Sequence, residues 1–191
     1  MSETRLRALG ADAPVAPDRR RAIEAVRDLL AVVGADPVRA GMERTPERVA
    51  DYYLALFAHV ADDPAAEIGT PMTVGESDGL GTVSMEAIPF RSFCEHHLLP
   101  FAGTVDVTYA PARKLAGLSR LAGLVRSAAA RPQLQERLTD DIADALVRAL
   151  APRGVEVRVR ATHGCVGVGE PLSGECVVTT TATRGRPLDH T

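Results

Sequence analysis

Two short segments, far apart in this 191-residue chain, contain most of its metal-binding side chains. Residues 94–97 read Cys-Glu-His-His, and residues 163–165 read His-Gly-Cys. A Cys and a His three residues apart can bind one metal ion from a single turn, and a ligand from the second segment would complete the site. Three such ligands, with one position left for water, are typical of a catalytic zinc site. The chain must therefore fold so that these two segments meet.

A Cys-x-x-His pair taken alone is weak evidence for a metal, because a lone Cys often packs as a small hydrophobic residue. The pattern is stronger here, since three of the five histidines and two of the three cysteines fall in the two segments. Spacing leaves open whether His163 or Cys165 is the third ligand. Histidines that are not ligands, including His96, would be available for proton transfer. Cys176 fits no ligand spacing and is predicted to be a packed strand residue.

The composition narrows the possible classes of protein. With 46% hydrophobic residues, 25% charged residues and a net charge of −3, the chain is expected to form one soluble globular domain with a sizeable core. Charges of both signs are interspersed, which predicts neither nucleic-acid nor membrane binding. We find no apolar segment typical of a membrane span or a signal peptide. Thiolate ligands need a reducing compartment, so a cytoplasmic protein is expected.

Hydrophobic periodicity divides the chain into three parts. Residues 1–17 show no periodicity and are expected to form a mobile N-terminal arm, whereas residues 18–60 are predicted to be helical. Residues 61–191 are predicted to form the main domain, as one structural unit with residues 18–60. This domain is expected to begin with a loop over residues 61–80 that includes a short strand around residues 72–74.

The pattern of strands and helices indicates an α+β fold. Strands are expected at residues 82–89, 104–109, 155–162 and 176–183, and helices at 18–33, from 45 onward, at 119–130 and at 133–150. The Cys-Glu-His-His segment lies on the connection between the first two strands, and the His-Gly-Cys segment follows the third. About four strands and two covering helices would leave sheet edges and apolar surface exposed, so an oligomer is expected.

Several motifs, taken together and in order, resemble the GTP cyclohydrolase I family. They are Thr-Pro-Glu-Arg-Val-Ala at 45–50, Cys-Glu-His-His-Leu-Leu-Pro-Phe at 94–101, Gly-Leu-Ser at 117–119, Arg-Pro-Gln-Leu-Gln-Glu-Arg-Leu-Thr at 131–139 and His-x-Cys at 163–165. The resemblance covers about residues 20–185. It implies a tunnelling fold (T-fold), an antiparallel sheet with two helices on one face plus N-terminal helices. It also implies a toroidal homodecamer with active sites between subunits.

The resemblance implies a zinc ion bound by Cys94, His97 and Cys165, in a hydrolase that acts on a cyclic carbon–nitrogen bond. In this chemistry a zinc-activated water attacks carbon 8 of a purine-like ring, the imidazole ring opens, and formate leaves. The positions that match the family assign proton transfer to His96 and His163.

The resemblance further implies substrate-binding roles for Arg48, Ser119, Arg120, Gln135 and Glu136. Glu136 would bind the guanine edge, whose two N–H donors suit a bidentate carboxylate. Periodicity alone instead predicts an exposed acid beside Arg137, on the outer side of its helix. An outward-facing carboxylate can still contact substrate if the site is shared between subunits.

Three positions depart from the family pattern where that pattern places basic side chains around a triphosphate. They are occupied here by Asp51, Gly123 and Gly169, so three positive charges are absent and one negative charge is added. Charge-assisted contacts to phosphate contribute about 1.5–3 kcal/mol each, so triphosphate binding should be much weaker.

We therefore expect ring-opening hydrolysis of a purine-like substrate that lacks a triphosphate, such as a base, a nucleoside or a modified purine. The alternative is an authentic GTP cyclohydrolase I, which makes 7,8-dihydroneopterin triphosphate and formate from GTP. A third hypothesis is a non-catalytic oligomer with structural zinc, which the presence of both His96 and His163 disfavours, since a structural site has no use for them.

Overall fold

The computed structural model describes residues 18–36, 39, 41–75, 80–166 and 176–188. The chain forms two compact units, the first ending at Ala55 and the second beginning at Leu56. The predicted N-terminal arm, residues 1–17, lies outside the described residues. Within the described part of the chain, no helix is both long and apolar enough to cross a membrane.

Helices α1 (Arg19–Val32) and α2 (Thr45–Leu56) correspond to the two helices predicted near the N-terminus. The first turn of α1 is capped by the Asp18 carboxylate, which accepts a hydrogen bond from the backbone N–H of Arg21. Arg19 on α1 donates to both carboxylate oxygens of Asp51 on α2, at 2.6 and 2.9 Å. This ion pair joins the two helices within the first unit.

The second unit contains the sheet and its two covering helices. In chain order its elements are a 3₁₀ helix (Pro64–Ile68), β1 (Met72–Thr73), β2 (Val83–Cys94), β3 (Pro100–Ala110), β4 (Lys114–Leu115), α3 (Leu118–Ala129), β5 (Pro132–Gln133), α4 (Gln135–Leu150), β6 (Gly154–His163) and β7 (Val178–Gly185). The predicted strand near residue 72 is β1, and it pairs with β4 in a separate two-stranded sheet.

The main sheet has five strands in the order β5-β2-β3-β6-β7. The four long strands are antiparallel, and the two-residue β5 pairs with the end of β2 in parallel. Helices α3 and α4 pack against the sheet and against each other. The α+β fold predicted from the sequence is therefore confirmed, with four long strands and two helices in the second unit.

The core lies between the sheet and these two helices. Alternate residues of β3 and β6 face it because side chains of a strand point to opposite faces in turn. Apolar residues three or four positions apart on α3 and α4 cover the same face. The fully buried members include Val105, Val107, Tyr109, Val155, Val157, Val159, Leu121, Leu124, Leu138, Ile142 and Leu146. Each large apolar side chain buried in this way stabilises the fold by about 1.5–3 kcal/mol.

Two predicted boundaries were wrong because of proline. The predicted strand ended at Pro89, but β2 continues to Cys94. Pro89 pairs only with β3, because β5 reaches no further than Phe93, so the missing N–H of Pro89 costs no hydrogen bond to a second strand. The predicted loop over residues 61–80 also contains the 3₁₀ helix, which Pro64 begins and the Asp63 side chain caps.

Two further predictions were wrong near the functional segments. Helix α4 begins at Gln135 rather than at Gln133, because Pro132 and Gln133 form β5 beside Phe93 and Cys94. Cys176 is exposed and precedes β7, so it is not a packed strand residue. The apolar residues that follow Cys176 suggested a buried strand, but Val177 is exposed as well.

The close approach of β3 and β6 at Gly103 gives a test of this strand pairing. A Cβ atom added to Gly103 would lie 1.9 Å from the Arg160 carbonyl oxygen, so the backbone would have to move. We expect Gly103→Ala to lower the free energy of unfolding by at least about 1–3 kcal/mol, measured by denaturant titration. Gly81→Ala, where a Cβ meets no atom within 4 Å, should change it by less than about 0.5 kcal/mol. Equal stability of the two variants would contradict this packing.

Candidate metal centre and substrate cleft

Three potential metal ligands come together at one end of the main sheet. Cys94 is the last residue of β2, His97 lies in the turn before β3, and Cys165 lies just after β6. Their ligand atoms all lie within 4.8 Å of one another, and Cys94 Sγ is 3.7 Å from His97 Nδ1. The spacing of the two sequence segments thus becomes a single cluster in three dimensions.

The pairing of β3 with β6 brings the second segment to the first. Phe101 is the register partner of His163 at the end of this ladder. One residue further on, the backbone N–H of Gly164 donates to the carbonyl oxygen of Pro100, at 2.9 Å. These contacts fix Cys165 beside the hairpin that carries Cys94 and His97.

The donors in the cluster suit zinc. Two thiols and one imidazole are borderline-soft ligands, and three protein ligands leave one coordination position open. Burial raises the pKa of the Cys165 thiol, and the adjacent Cys94 raises it further. A bound cation would offset both effects by stabilising the thiolates. Cys94 is buried and His97 is exposed, so the cluster is accessible from one side.

An ion pair holds the turn over residues 94–97, which carries two candidate metal ligands, against α4. Arg137 donates to both carboxylate oxygens of Glu95, at 2.5 and 3.1 Å, and this contact lowers the pKa of Glu95. The backbone N–H of Glu95 also donates to the carbonyl oxygen of Gln133. The turn between Cys94 and His97 is therefore attached to the segment that begins α4.

His163 is held beside this cluster by two neighbours. Its Nε2 atom lies 2.7 Å from Gln135 Oε1, and its ring stacks on Phe101 with a centroid distance of 4.6 Å and an interplanar angle of 2°. Burial lowers the pKa of His163 below the usual histidine value, and the negative charge of Glu136 partly opposes this. The ring is therefore favoured in its neutral form, which can accept a proton.

A cleft of about 150 Å³ connects the cluster to several predicted site residues. Its walls include Cys94, Gln135, Glu136 and His163. Glu136 is exposed in the first turn of α4, as periodicity predicted, yet it lies in the wall of the cleft. A carboxylate, a neutral histidine and a candidate metal ligand therefore line one space.

His96 has a more open environment. It is exposed in the turn, and its ring centroid lies 6.2 Å from that of His97, with the ring planes at 88°. It is therefore close to the metal cluster, but it has no role in the packing of the core.

The other predicted substrate-binding residues are exposed near the starts of two helices. Ser119 and Arg120 are exposed in the first turn of α3. Helix α3 has 12 residues and ends next to β5, which pairs with Cys94. Ser119 and Arg120 are not among the residues that line the cleft beside Cys94. Arg48 is exposed on α2 in the first unit, and Gly169 lies outside the described residues.

Sequence reasoning missed three residues that shape the site. It assigned no function to Phe101, Glu95 or Arg137, although each lies inside a motif of the resemblance. Phe101 contacts His163 through the register of β3 and β6, and Glu95 meets Arg137 across a long sequence separation. Neither contact has a local signal, because each depends on strand pairing or on the placement of α4.

A metal-ligand cluster beside a cleft with a neutral histidine and a carboxylate is the arrangement of a hydrolytic enzyme. A family model described as GTP cyclohydrolase I matches residues 22–190. This chain therefore belongs to the GTP cyclohydrolase I family, whose members are hydrolases acting on a cyclic carbon–nitrogen bond. The family predicted from the motifs is confirmed, and so is the class of enzyme.

Curated relatives agree with this assignment over most of their length. The chain is 45% identical to "GTP cyclohydrolase 1" of Leifsonia xyli, covering 88% of this chain and 87% of the relative. It is 46% identical to "GTP cyclohydrolase 1" of Geobacillus kaustophilus, covering 84% and 85%. Among solved structures, an apo crystal structure of the archaeosine synthase QueF-Like matches 58% of this chain and 99% of that chain, with a TM-score of 0.45 and 19% identity.

The geometry of the cluster predicts the effect of removing each ligand. Cys94→Ala, His97→Ala and Cys165→Ala should each abolish stoichiometric zinc binding, because three protein ligands leave no redundancy. Elemental analysis of the purified variants measures this directly. Cys176→Ala is the matched control and should bind zinc normally, since Cys176 lies outside the cluster. Full zinc content in Cys165→Ala would exclude the proposed ligand set.

Proposed function

We propose that this chain is a zinc-dependent cyclohydrolase that opens the imidazole ring of GTP, the nucleotide in the name of its relatives. The observation that carries the proposal is that Cys94, Glu136 and His163 line one cleft. Membership of the family supports the type of reaction. The relatives' names favour GTP over the phosphate-poor substrate expected from the sequence, which becomes the second candidate.

Zinc would be held by Cys94, His97 and Cys165. When bound, it supplies an activated water molecule as the nucleophile. The two sulfur donors and the imidazole match the ligands that zinc prefers, and an open position is typical of a catalytic site. Free thiols at this site also support a cytoplasmic location, because thiolates persist in a reducing compartment.

The remaining residues of the cleft would bind the base and move protons. Glu136 would accept hydrogen bonds from the two N–H donors on the guanine edge. His163 would accept a proton during ring opening and return it to a ring nitrogen. His96, exposed in the neighbouring turn, is the second candidate for proton transfer.

We further propose that a second copy of the chain completes each active site. Ser119 and Arg120 lie at the start of α3 and do not line the cleft that holds Cys94 and Glu136 in the same chain. Ser119 and Arg120 from a neighbouring subunit would then contact the sugar and phosphates. A homo-oligomer fits the position of β7 as an edge strand of the sheet formed by the described residues, and the family resemblance implies a homodecamer.

A substrate without a triphosphate is the second candidate, and one contact favours it. A Cβ atom on Gly123 would lie 3.0 Å from Glu67 Oε2, so this carboxylate stands where the family pattern has a basic side chain. Glu67 has no hydrogen-bond or ion-pair partner within the described part of the chain. Asp51, by contrast, is paired with Arg19, which offsets its charge. Glu67 is therefore the main electrostatic obstacle to a phosphate chain near α3.

A panel of guanine compounds separates the two candidates. We expect zinc-dependent loss of purine absorbance and formate release with GTP, at a higher kcat/KM than with guanosine or guanine. Chelation of zinc should abolish turnover, and added zinc should restore it. A higher kcat/KM for guanosine would make the second candidate correct. The absence of ring opening with all three compounds would exclude both.

The contribution of Glu67 can be measured by removing its charge. Glu67→Gln keeps the shape of the side chain, so the fold should be unchanged. A charge interaction of about 1 kcal/mol corresponds to a roughly fivefold change in affinity, so KM for GTP should fall about 3- to 10-fold. The KM for guanosine, measured on the same variant, is the control and should not change. An equal effect on both substrates would show that Glu67 does not face the phosphates.

A further inference from the structure

The side chain of Gln135 is fully engaged inside the chain. Gln135 begins α4 and is only 2% exposed. Its amide nitrogen lies 3.2 Å from the carbonyl oxygen of Val159 and 3.0 Å from that of Val178, and 3.2 Å from Thr180 Oγ1. One buried amide therefore links the start of α4 to β6 and β7.

These contacts fix which way the amide points. Carbonyl oxygens only accept hydrogen bonds, so the NH₂ group must face Val159 and Val178. A rotated amide would place its oxygen against two other oxygens. Gln135 Oε1 must therefore face His163 Nε2, which lies 2.7 Å away. Because this oxygen can only accept, His163 Nε2 must carry a hydrogen.

Two threonine hydroxyl groups support the same assignment. Thr139 Oγ1 donates to the backbone carbonyl oxygen of Gln135, at 2.7 Å, which uses its single hydrogen. Thr180 Oγ1 lies 2.6 Å from Thr139 Oγ1 and must therefore donate to it. The lone pairs of Thr180 then remain free to accept from the amide of Gln135. Each of the two hydroxyl hydrogens in this network therefore has one consistent position, whereas the two amide hydrogens of Gln135 share three acceptors.

The ring of His163 is restrained in its plane as well. Phe101 stacks on it with an interplanar angle of 2°, and Phe101 itself is only 1% exposed. The hydrogen bond at Nε2 prevents rotation within that plane. Both the orientation of the ring and the position of its proton are thus determined by neighbouring residues.

We infer that Gln135 is a positioning residue that keeps a hydrogen on His163 Nε2, so that Nδ1 is the ring nitrogen left for proton transfer. The inference rests on the proposed function, in which His163 transfers protons. It replaces the role of Gln135 as a substrate ligand that the resemblance implied, because both the oxygen and the nitrogen of the amide are already bonded within the chain.

Solid-state nitrogen-15 NMR of the histidine-labelled, zinc-loaded protein tests the tautomer directly. The protonated and unprotonated ring nitrogens of a neutral histidine have well-separated chemical shifts, and the spectrum of His163→Gln identifies the signals of His163. We expect hydrogen on Nε2 and none on Nδ1 in the wild-type protein. The opposite tautomer, or a metal-coordinated His163 nitrogen, would overturn the inference without the need for any variant of Gln135.

Kinetics of two variants test the consequence. Gln135→Met keeps the size of the side chain but removes the acceptor, so Nδ1–H should appear in the spectrum. Its kcat should fall by at least ~10-fold, up to the ~10²–10⁴-fold expected for loss of the acid–base group itself, with little change in KM. Thr180→Val is the matched control, because it removes a neighbour of Gln135 but leaves Oε1 facing His163. It should keep the wild-type tautomer and kcat.

The outcomes distinguish this inference from the proposed function. A raised KM with unchanged kcat in Gln135→Met would make Gln135 a substrate ligand and overturn the positioning role. An unchanged tautomer in that variant would overturn it as well. If the wild-type protein opens no purine ring, the proposed function fails, whereas the wild-type spectrum still decides the position of the proton.

Discussion

The pairing of β3 with β6 is the constraint on which the rest of the site depends. The ladder runs from Ala110 and Gly154 to Phe101 and His163, where the two metal-binding segments meet. A shift of one residue would turn every side chain of one strand to the opposite face, and the buried valines of both strands oppose such a shift. Burial of the core valines therefore fixes the register of β3 and β6. This register in turn sets the positions of Phe101 and His163 at the end of the ladder.

In the first turn of α4, three consecutive side chains point in three different directions and make three different contacts. Gln135 points inward to His163, Glu136 lies in the wall of the cleft, and Arg137 binds Glu95 in the metal-binding turn. This is possible because successive residues of a helix are about 100° apart around its axis. One turn can thus orient the His163 ring, place the Glu136 carboxylate in the wall of the cleft and hold the turn that carries Cys94 and His97. Small movements of this turn would affect all three.

The cleft and the α3 region differ in how closely they follow the family pattern. Around the cleft, the candidate ligand cluster, His163 and the Glu136 carboxylate lie together, as the family pattern implies. Near α3, Glu67 occupies the space beside Gly123 without a partner among the described residues. Under the proposed function, ring opening would depend on the first region and affinity for phosphates on the second. Divergence in the second region would then change substrate preference and keep the hydrolytic chemistry.

The sequence by itself determined the α+β class, the long strands and helices, the family and the candidate ligands, because these follow from local periodicity and from spacing within motifs. Only the tertiary structure placed the amide of Gln135 against His163, Val159 and Val178, because these residues are distant from it in sequence. It also decided the pairing of Glu95 with Arg137, the parallel β5, and the exposure of Cys176. These features depend on contacts between residues distant in sequence, which no local pattern specifies.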